Sequence, residues 1–397
     1  MLNQITKDQK IELIVSILVS SILLNYFVMF ISYNEYVIKS IFSIYIFSVL
    51  FFFIYKPLNF FHLKITLVIL MIIVLGNPTY AWDAWAVWLF HAKRIFLEQS
   101  IIAQLDGYAA WSHNDYPVIA PAFAASFATF IGGWNNIFPK LAFLLMFFPP
   151  LILSIRVFNT KYNLLFLILV LFILDLQLVF GLVDGLVAIY FTFSSYLIYE
   201  IFVSKQNSFY WLFIAFCFLI ILALLKNEGI VLASILLTTM IIINILKKKL
   251  LQNYKKIIFL LFSIIPVLIW KITCNYYNIE NDIINYNSMN NFLKNMFIDD
   301  NSFKLIFKLL LLDTKFILST IFILLVFYFT KNKKIFYYVL FLGMSYLLSL
   351  IIIFLITPNN LAWQLSGGPR IILSLTCLFA FFGILQIYYK NMKIYDL

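Results

Sequence analysis

Apolar runs of membrane-spanning length alternate with short polar breaks along nearly the whole chain. They lie near 12–32, 38–55, 65–78, 137–156, 163–180, 186–203, 209–225, 229–246, 256–273, 314–330, 335–356 and 370–389. Each is close to the roughly 20 residues that an α-helix needs to cross a hydrocarbon core. The pattern predicts an all-α polytopic membrane protein of about twelve transmembrane helices, with residues 1–397 forming one transmembrane domain. Two longer polar regions interrupt it, at about 79–136 and about 275–303, and no fixed-period repeat is visible. Pro117–Ile131, inside the first of these, is rich in Ala and Phe and is broken by Pro121.

Composition agrees. The 397 residues are 64% hydrophobic and 11% charged, with a mean hydropathy of +1.00, more apolar surface than a soluble fold of this length can hide. A net charge of +11 would suggest nucleic acid in a soluble protein, but the lysines sit in short breaks between runs, the pattern of cytoplasmic loops. Cys217, Cys274 and Cys377 lack metal-type spacing and read as small core residues. The first apolar run has no small-residue cleavage site after it and reads as a retained span.

Topology turns on Pro117–Ile131. If it lies in the interface, both termini are cytoplasmic. Lys56/Lys64, Arg156/Lys161, Lys205, Lys247–Lys249, Lys255/Lys256, Lys331/Lys333/Lys334 and Lys390/Lys393 then all fall inside. If it crosses, every later cluster moves outside, so the interfacial arrangement is preferred. It carries Asp83, His91, Arg94, His113, Asp115, Asp184, Lys226, Glu228 and Arg370 to one external depth, as residues of a single site would be. Asp175, mid-run, is a secondary candidate.

The stretch Trp82-Asp83-Ala84-Trp85 through His91-Ala92-Lys93-Arg94 opens the first polar region. As a regular helix it sets Asp83, Val87, His91 and Arg94 on one face and Trp85 and Trp88 on the other, toward a membrane–water boundary. Asp83 is either a solvated cap or a general base among aromatics. Lys93 and Arg94 run against the positive-inside bias, which favours an anionic partner such as a lipid-linked phosphate. His113 and Asp115, with Asp83 and His91, allow a divalent cation, although no tight ligand spacing supports one. The predicted interfacial helix starts at Tyr116-Pro117. Asp184, in Gly181-Leu182-Val183-Asp184-Gly185, either caps the next helix or faces substrate; Lys226 and Glu228 either pair or contact substrate. Arg370 follows Gly367-Gly368-Pro369 at the mouth of the last run, where an anion site is plausible.

Taken together, these segments resemble the bacterial GT-C glycosyltransferases, which use polyprenyl-phosphate sugars and include the protein mannosyltransferases and the lipid A aminoarabinose transferase. The resemblance covers roughly residues 65–390. It implies an essential acid of the first external loop at Asp83, a second acid at Asp184, and cations that meet the lipid phosphate. The usual pattern has one span before the catalytic loop, whereas three are counted here; both numbers are odd, so sidedness is kept. A soluble C-terminal domain, frequent in that family, is missing.

The function so implied is inverting transfer of a sugar from a polyprenyl-phosphate donor to a lipid, glycan or protein acceptor of the envelope, at the external face of a bacterial cytoplasmic membrane. Asp83 is the expected base. His91, Lys93, Arg94, His113, Asp115, Tyr116, Asp184, Lys226, Glu228 and Arg370 are the expected substrate and phosphate contacts. No cofactor is required by the pattern, and a divalent cation is left open. The rivals are a transporter or flippase for lipid-linked substrates, a lipid-glycan polymerase or ligase, and a non-catalytic envelope subunit.

Overall fold

A computed structural model describes residues 6–55, 60–204, 208–281, 288–297, 313–356 and 367–392. Lys56, Lys205, Lys393 and parts of the 275–303 region lie outside the described residues. Helices and turns account for the described structure, with no strand among those residues. Eight helices are long and apolar enough to cross a membrane, and five shorter apolar ones accompany them. The chain is an all-α, multi-pass membrane protein.

In order, α1 (Lys7–Ile31), α2 (Glu35–Ile54) and α3 (Phe61–Gly76) lead into α4 (Leu89–Glu98) and α5 (Ile119–Ile131). Then come α6 (Phe138–Met146), α7 (Phe148–Val157), α8 (Thr160–Leu174), α9 (Asp184–Tyr199), α10 (Phe209–Leu225) and α11 (Asn227–Leu246). The remainder are α12 (Leu250–Leu261), α13 (Ile265–Tyr276), α14 (Ser288–Phe297), α15 (Thr314–Thr330), α16 (Lys333–Ile356), α17 (Gly368–Ile371) and α18 (Leu373–Asn391). Each of the twelve apolar runs is occupied by helix. Polar residues placed just outside the runs start several of them: Thr6 and Gln9 form a capping box for α1, and Asn34, Asn159 and Asp313 cap α2, α8 and α15.

α9 is the axis of the bundle. Its apolar window is 94% buried, against 33% for α2, and it packs on α10, α11 and α18. Apolar side chains on the outer helices, such as Phe47, Phe172 and Leu325, are open. That is the inverse of a soluble surface and suits lipid contact.

The ambiguous Ala/Phe run is more enclosed than an interfacial position requires. Its helix, α5, has 13 residues and rises only about 20 Å. Ile119 to Thr129 are buried throughout, against α1, α2, α4 and α6. Small Ala side chains allow that close embrace on every side, so α5 has no open lipid face there. Asp175 also departs from expectation. α8 ends at Leu174, and Asp175 sits in a following turn, exposed and 3.8 Å from Lys315.

Two ends of the bundle differ in charge. α9 starts at Asp184, α11 starts beside Lys226, and the last helical segment starts around Arg370. At the other ends of these helices lie Lys247 and Lys390, with Arg156 and the Lys331–Lys334 turn alongside.

Candidate functional site

Asp83, Asp184, Lys226, Glu228 and Arg370 form one connected cluster. Asp83 lies in the first helical residues after the break that follows α3, just before the π turn Ala84–Trp88, and the Arg370 guanidinium donates to its Oδ2. The same Arg370 nitrogen, Nη1, is 3.8 Å from Asp184 Oδ2. Lys226 Nζ is 2.9 Å from Asp184 Oδ1 and 3.2 Å from Glu228 Oε1. Residues as far apart as 83 and 370 are thus joined through two cations shared among three carboxylates.

Local structure explains the placement. Asp184 and Glu228 stand in the first turns of α9 and α11, where exposed N–H groups favour anions, and Lys226 sits where α10 ends and carbonyls favour a cation. Lys226 is extended (φ −164°, ψ 163°) and so breaks one helix from the next. Gly229 makes the tight return feasible: a Cβ there would lie 2.0 Å from the Leu222 carbonyl oxygen. Before α9, Gly181 adopts φ +75°, a conformation unfavourable to other residues.

Asp184, Lys226, Glu228, Tyr346, Arg370 and Ser374 line a cavity of about 10 Å³, about the room of one water. Asp83, bonded to the Arg370 that lines the cavity, has 27% of its side chain exposed, while Asp184 is 6% exposed. The pocket is small and partly open, and the half-exposed Arg370 side chain forms part of its wall.

The remaining expected site residues divide. Tyr116 joins the cluster through Lys226, whose Nζ stands 5.7 Å from its ring centre; His113 stacks on the same ring at 4.7 Å. Asp115 belongs to an adjoining group. Its Oδ2 accepts from Asn227 Nδ2 at 2.7 Å, Asn281 Nδ2 at 2.9 Å and Lys271 Nζ at 3.3 Å. Its carbonyl accepts from Trp270 Nε1. Asn227 follows Lys226 in sequence, so the two groups share a wall. Sequence reasoning misses Lys271, Trp270, Asn227 and Asn281. Lys271 does carry a usable signal, a lone cation in an apolar run.

Arg94 and His91 do not join the cluster. Ala84–Trp88 is a π turn, which adds a residue to the turn and rotates the downstream helix by about 100° relative to a regular helix. The expected single face of Asp83, Val87, His91 and Arg94 is thereby broken. Arg94 makes a bidentate pair with Asp106 (3.1 and 2.7 Å) and bonds Glu98 at 3.0 Å. Its guanidinium holds the Asp106 carboxyl below the usual range. Trp88 turns inward and is buried against Tyr116, while Trp85 stays open with Trp82 and Trp111. Lys93 is exposed.

His91 is buried and its Nε2 donates to the Ser112 carbonyl at 2.8 Å, tying α4 to the loop that carries His113, Asp115 and Tyr116. Burial pushes its pKa down to about 4, helped by the nearby charge of Arg94 and by His113. The fold refuses a proton that the unfolded chain accepts near pH 6.5. The neutral ring's contribution is complete above that pH and fades as pH falls toward about 4. Between about pH 7 and about pH 4.5, wild type should therefore lose about 2 kcal/mol more stability than His91→Gln. Thermal unfolding of both proteins in detergent across that range checks this; parallel pH dependences would exclude His91 as the titrating group.

The residues that left a divalent cation open do not come together as a ligand set. Asp83 is held by Arg370, Asp115 by Lys271 and two amides, and His91 by a carbonyl. Among the described residues, no three His, Cys, Asp or Glu side chains are grouped to hold a metal. The three cysteines are buried and free. No protein-family model matches this chain, and neither a curated protein nor a solved structure is significantly similar to it.

Proposed function

We propose that this protein is an integral-membrane glycosyltransferase of GT-C type. It would move a sugar from a polyprenyl-phosphate donor to an envelope acceptor, with inversion, at the external face of a bacterial cytoplasmic membrane. The twelve-span topology with cytoplasmic termini is part of this reading. One observation carries it: three carboxylates and two cations from distant segments meet at a single end of the helix bundle. That end is opposite the Lys-rich one, which supports an external site by the positive-inside rule. The charges gather at helix ends and not mid-helix, which supports an enzyme over a transporter.

The chemistry follows from charge balance. With three carboxylates against two cations, the cluster holds one excess negative charge. A donor phosphate arriving at Arg370 competes with Asp83 for the guanidinium and releases the carboxylate. Asp83 then takes the proton of an acceptor hydroxyl as its oxygen bonds to the anomeric carbon. The bond from that carbon to the phosphate oxygen breaks, and polyprenyl phosphate leaves. Arg370 neutralises the charge that grows on the leaving phosphate, while Lys226, held by Asp184 and Glu228, keeps the site's geometry. Arg94 is engaged elsewhere, so Arg370 replaces it as the phosphate contact; Lys93 remains open to headgroups.

Mass spectrometry of envelope glycans and carrier lipids from intact and gene-deleted strains tests the reading. Deletion should remove one defined sugar mass and cause the matching polyprenyl-phosphate sugar to accumulate. Unchanged glycans and carriers would refute it.

A further inference from the structure

A second cavity lies at the other end of the same helices. It has a volume of about 510 Å³, within the range of small-ligand sites. Asp184 begins α9 and Glu200 follows its last residue; Arg370 precedes α18 and Tyr389 stands near its end. At 1.5 Å per residue the two sites are about 24–28 Å apart, close to the thickness of a hydrocarbon core. Nothing in the proposed transfer reaction uses this cavity.

Its walls have distinct chemistry. On one side is Glu200, 4% exposed, at the start of the π turn Glu200–Ser204. Tyr389 donates to its Oε1 at 2.6 Å, and the Ser204 hydroxyl donates to Oε2. On the other side is the turn Lys331-Asn332-Lys333-Lys334, three cations around the N-terminus of α16, which Asn332 caps by accepting from Ile335 N at 3.3 Å. Tyr196, Tyr199, Tyr388 and Trp211 form an aromatic wall; Arg156 also lines the cavity, but it is paired with Glu12 and Asp8 and covers the Trp211 ring, so it braces that wall.

We infer that this cavity binds a phosphate ester carrying a hydroxylated substituent. The phosphate belongs at the Lys331–Lys334 turn, where three cations and a helix N-terminus favour an anion. The Glu200 carboxylate repels phosphate but still accepts hydrogen bonds, so a hydroxyl fits beside it, with the tyrosine rings packing against the carbon skeleton. Tyr328, Phe329 and Tyr337, all exposed next to the lysine turn, suit a membrane–water boundary. A lipid headgroup and a soluble phosphate ester share this chemistry. The inference stands independently of the glycosyltransferase reading.

The test titrates full-length protein in neutral detergent with phosphatidylglycerol, phosphatidylcholine or glycerol 1-phosphate and reads thermal stabilisation. Phosphatidylglycerol should stabilise wild type, and phosphatidylcholine should not. Half-saturation should weaken about tenfold in Lys331→Ala/Lys333→Ala; wild type should prefer phosphatidylglycerol to phosphatidic acid, added as a fourth probe without the hydroxylated substituent, and Glu200→Gln should abolish that preference. Lys248→Ala/Lys249→Ala, at the same end but outside the cavity, should behave as wild type. The same variant pattern with glycerol 1-phosphate alone would identify a soluble ligand of this class. Stabilisation by none of the probes, or equal weakening in the Lys248/Lys249 control, would overturn the site.

Discussion

Asp83→Asn is expected to reach the membrane at wild-type abundance and to lose about 10²- to 10⁴-fold in turnover, the usual worth of a positioned general base. Abundance should hold because the side chain is partly exposed, and an amide oxygen still accepts from Arg370. Turnover should fall because an amide cannot take a proton at working pH. The comparison is polyprenyl-phosphate sugar consumption by membranes matched for protein. Wild-type turnover from the Asn variant would remove Asp83 from the reaction and return the turn around it to a structural role. Arg370→Gln gives an internal contrast: loss of the phosphate contact should raise the donor concentration needed as well as slow the chemistry.

Lys226→Met should be the most destabilising single change at the site. Lys226 joins Asp184 and Glu228, whose side chains are only 6% and 12% exposed. Removing the cation strands the buried Glu228 carboxylate and leaves Asp184 only Arg370, at 3.8 Å, and breaking a buried pair in this way costs about 3–5 kcal/mol. The triple variant Asp184→Asn/Lys226→Met/Glu228→Gln carries no stranded charge and should regain most of that loss. Its activity should stay low, since the geometry around Arg370 is gone. Thermal unfolding in detergent of the single and triple variants separates the two effects. A Lys226→Met protein as stable as wild type would show that the cluster is solvated, contrary to its burial. Strong non-additivity is expected because the three residues share partners.

The helices were legible because hydropathy is a local property. A run such as 209–225 is apolar whatever it packs against, and its ends are marked by Ser208 and Lys226. α5 was not legible in the same way. Ile119–Ile131 is apolar and short, and only the presence of α1, α2, α4 and α6 around it decides that it is enveloped by other helices. The participants of the site were largely readable: charge bias along the chain sets Asp83, Asp184, Lys226, Glu228 and Arg370 apart from the lysine-rich breaks. Their partners were not. Arg94 and Arg370 are equivalent as residue types, yet Asp106 and Glu98 hold one while Asp83 and Asp184 face the other.

The sequence by itself determined an all-α membrane chain, the positions of its apolar helices and the polar residues set between them. Each of these depends on nearest neighbours along the chain and on the solvent each segment prefers. Tertiary structure alone decided which carboxylate meets which cation and how the π turn after Asp83 divides a nominal single face. It also decided that Lys271 braces Asp115 and that a cavity opens around Glu200 at the far end. These are matters of distance between residues up to 287 positions apart, and ion pairs and burial respond to that distance, not to order along the chain.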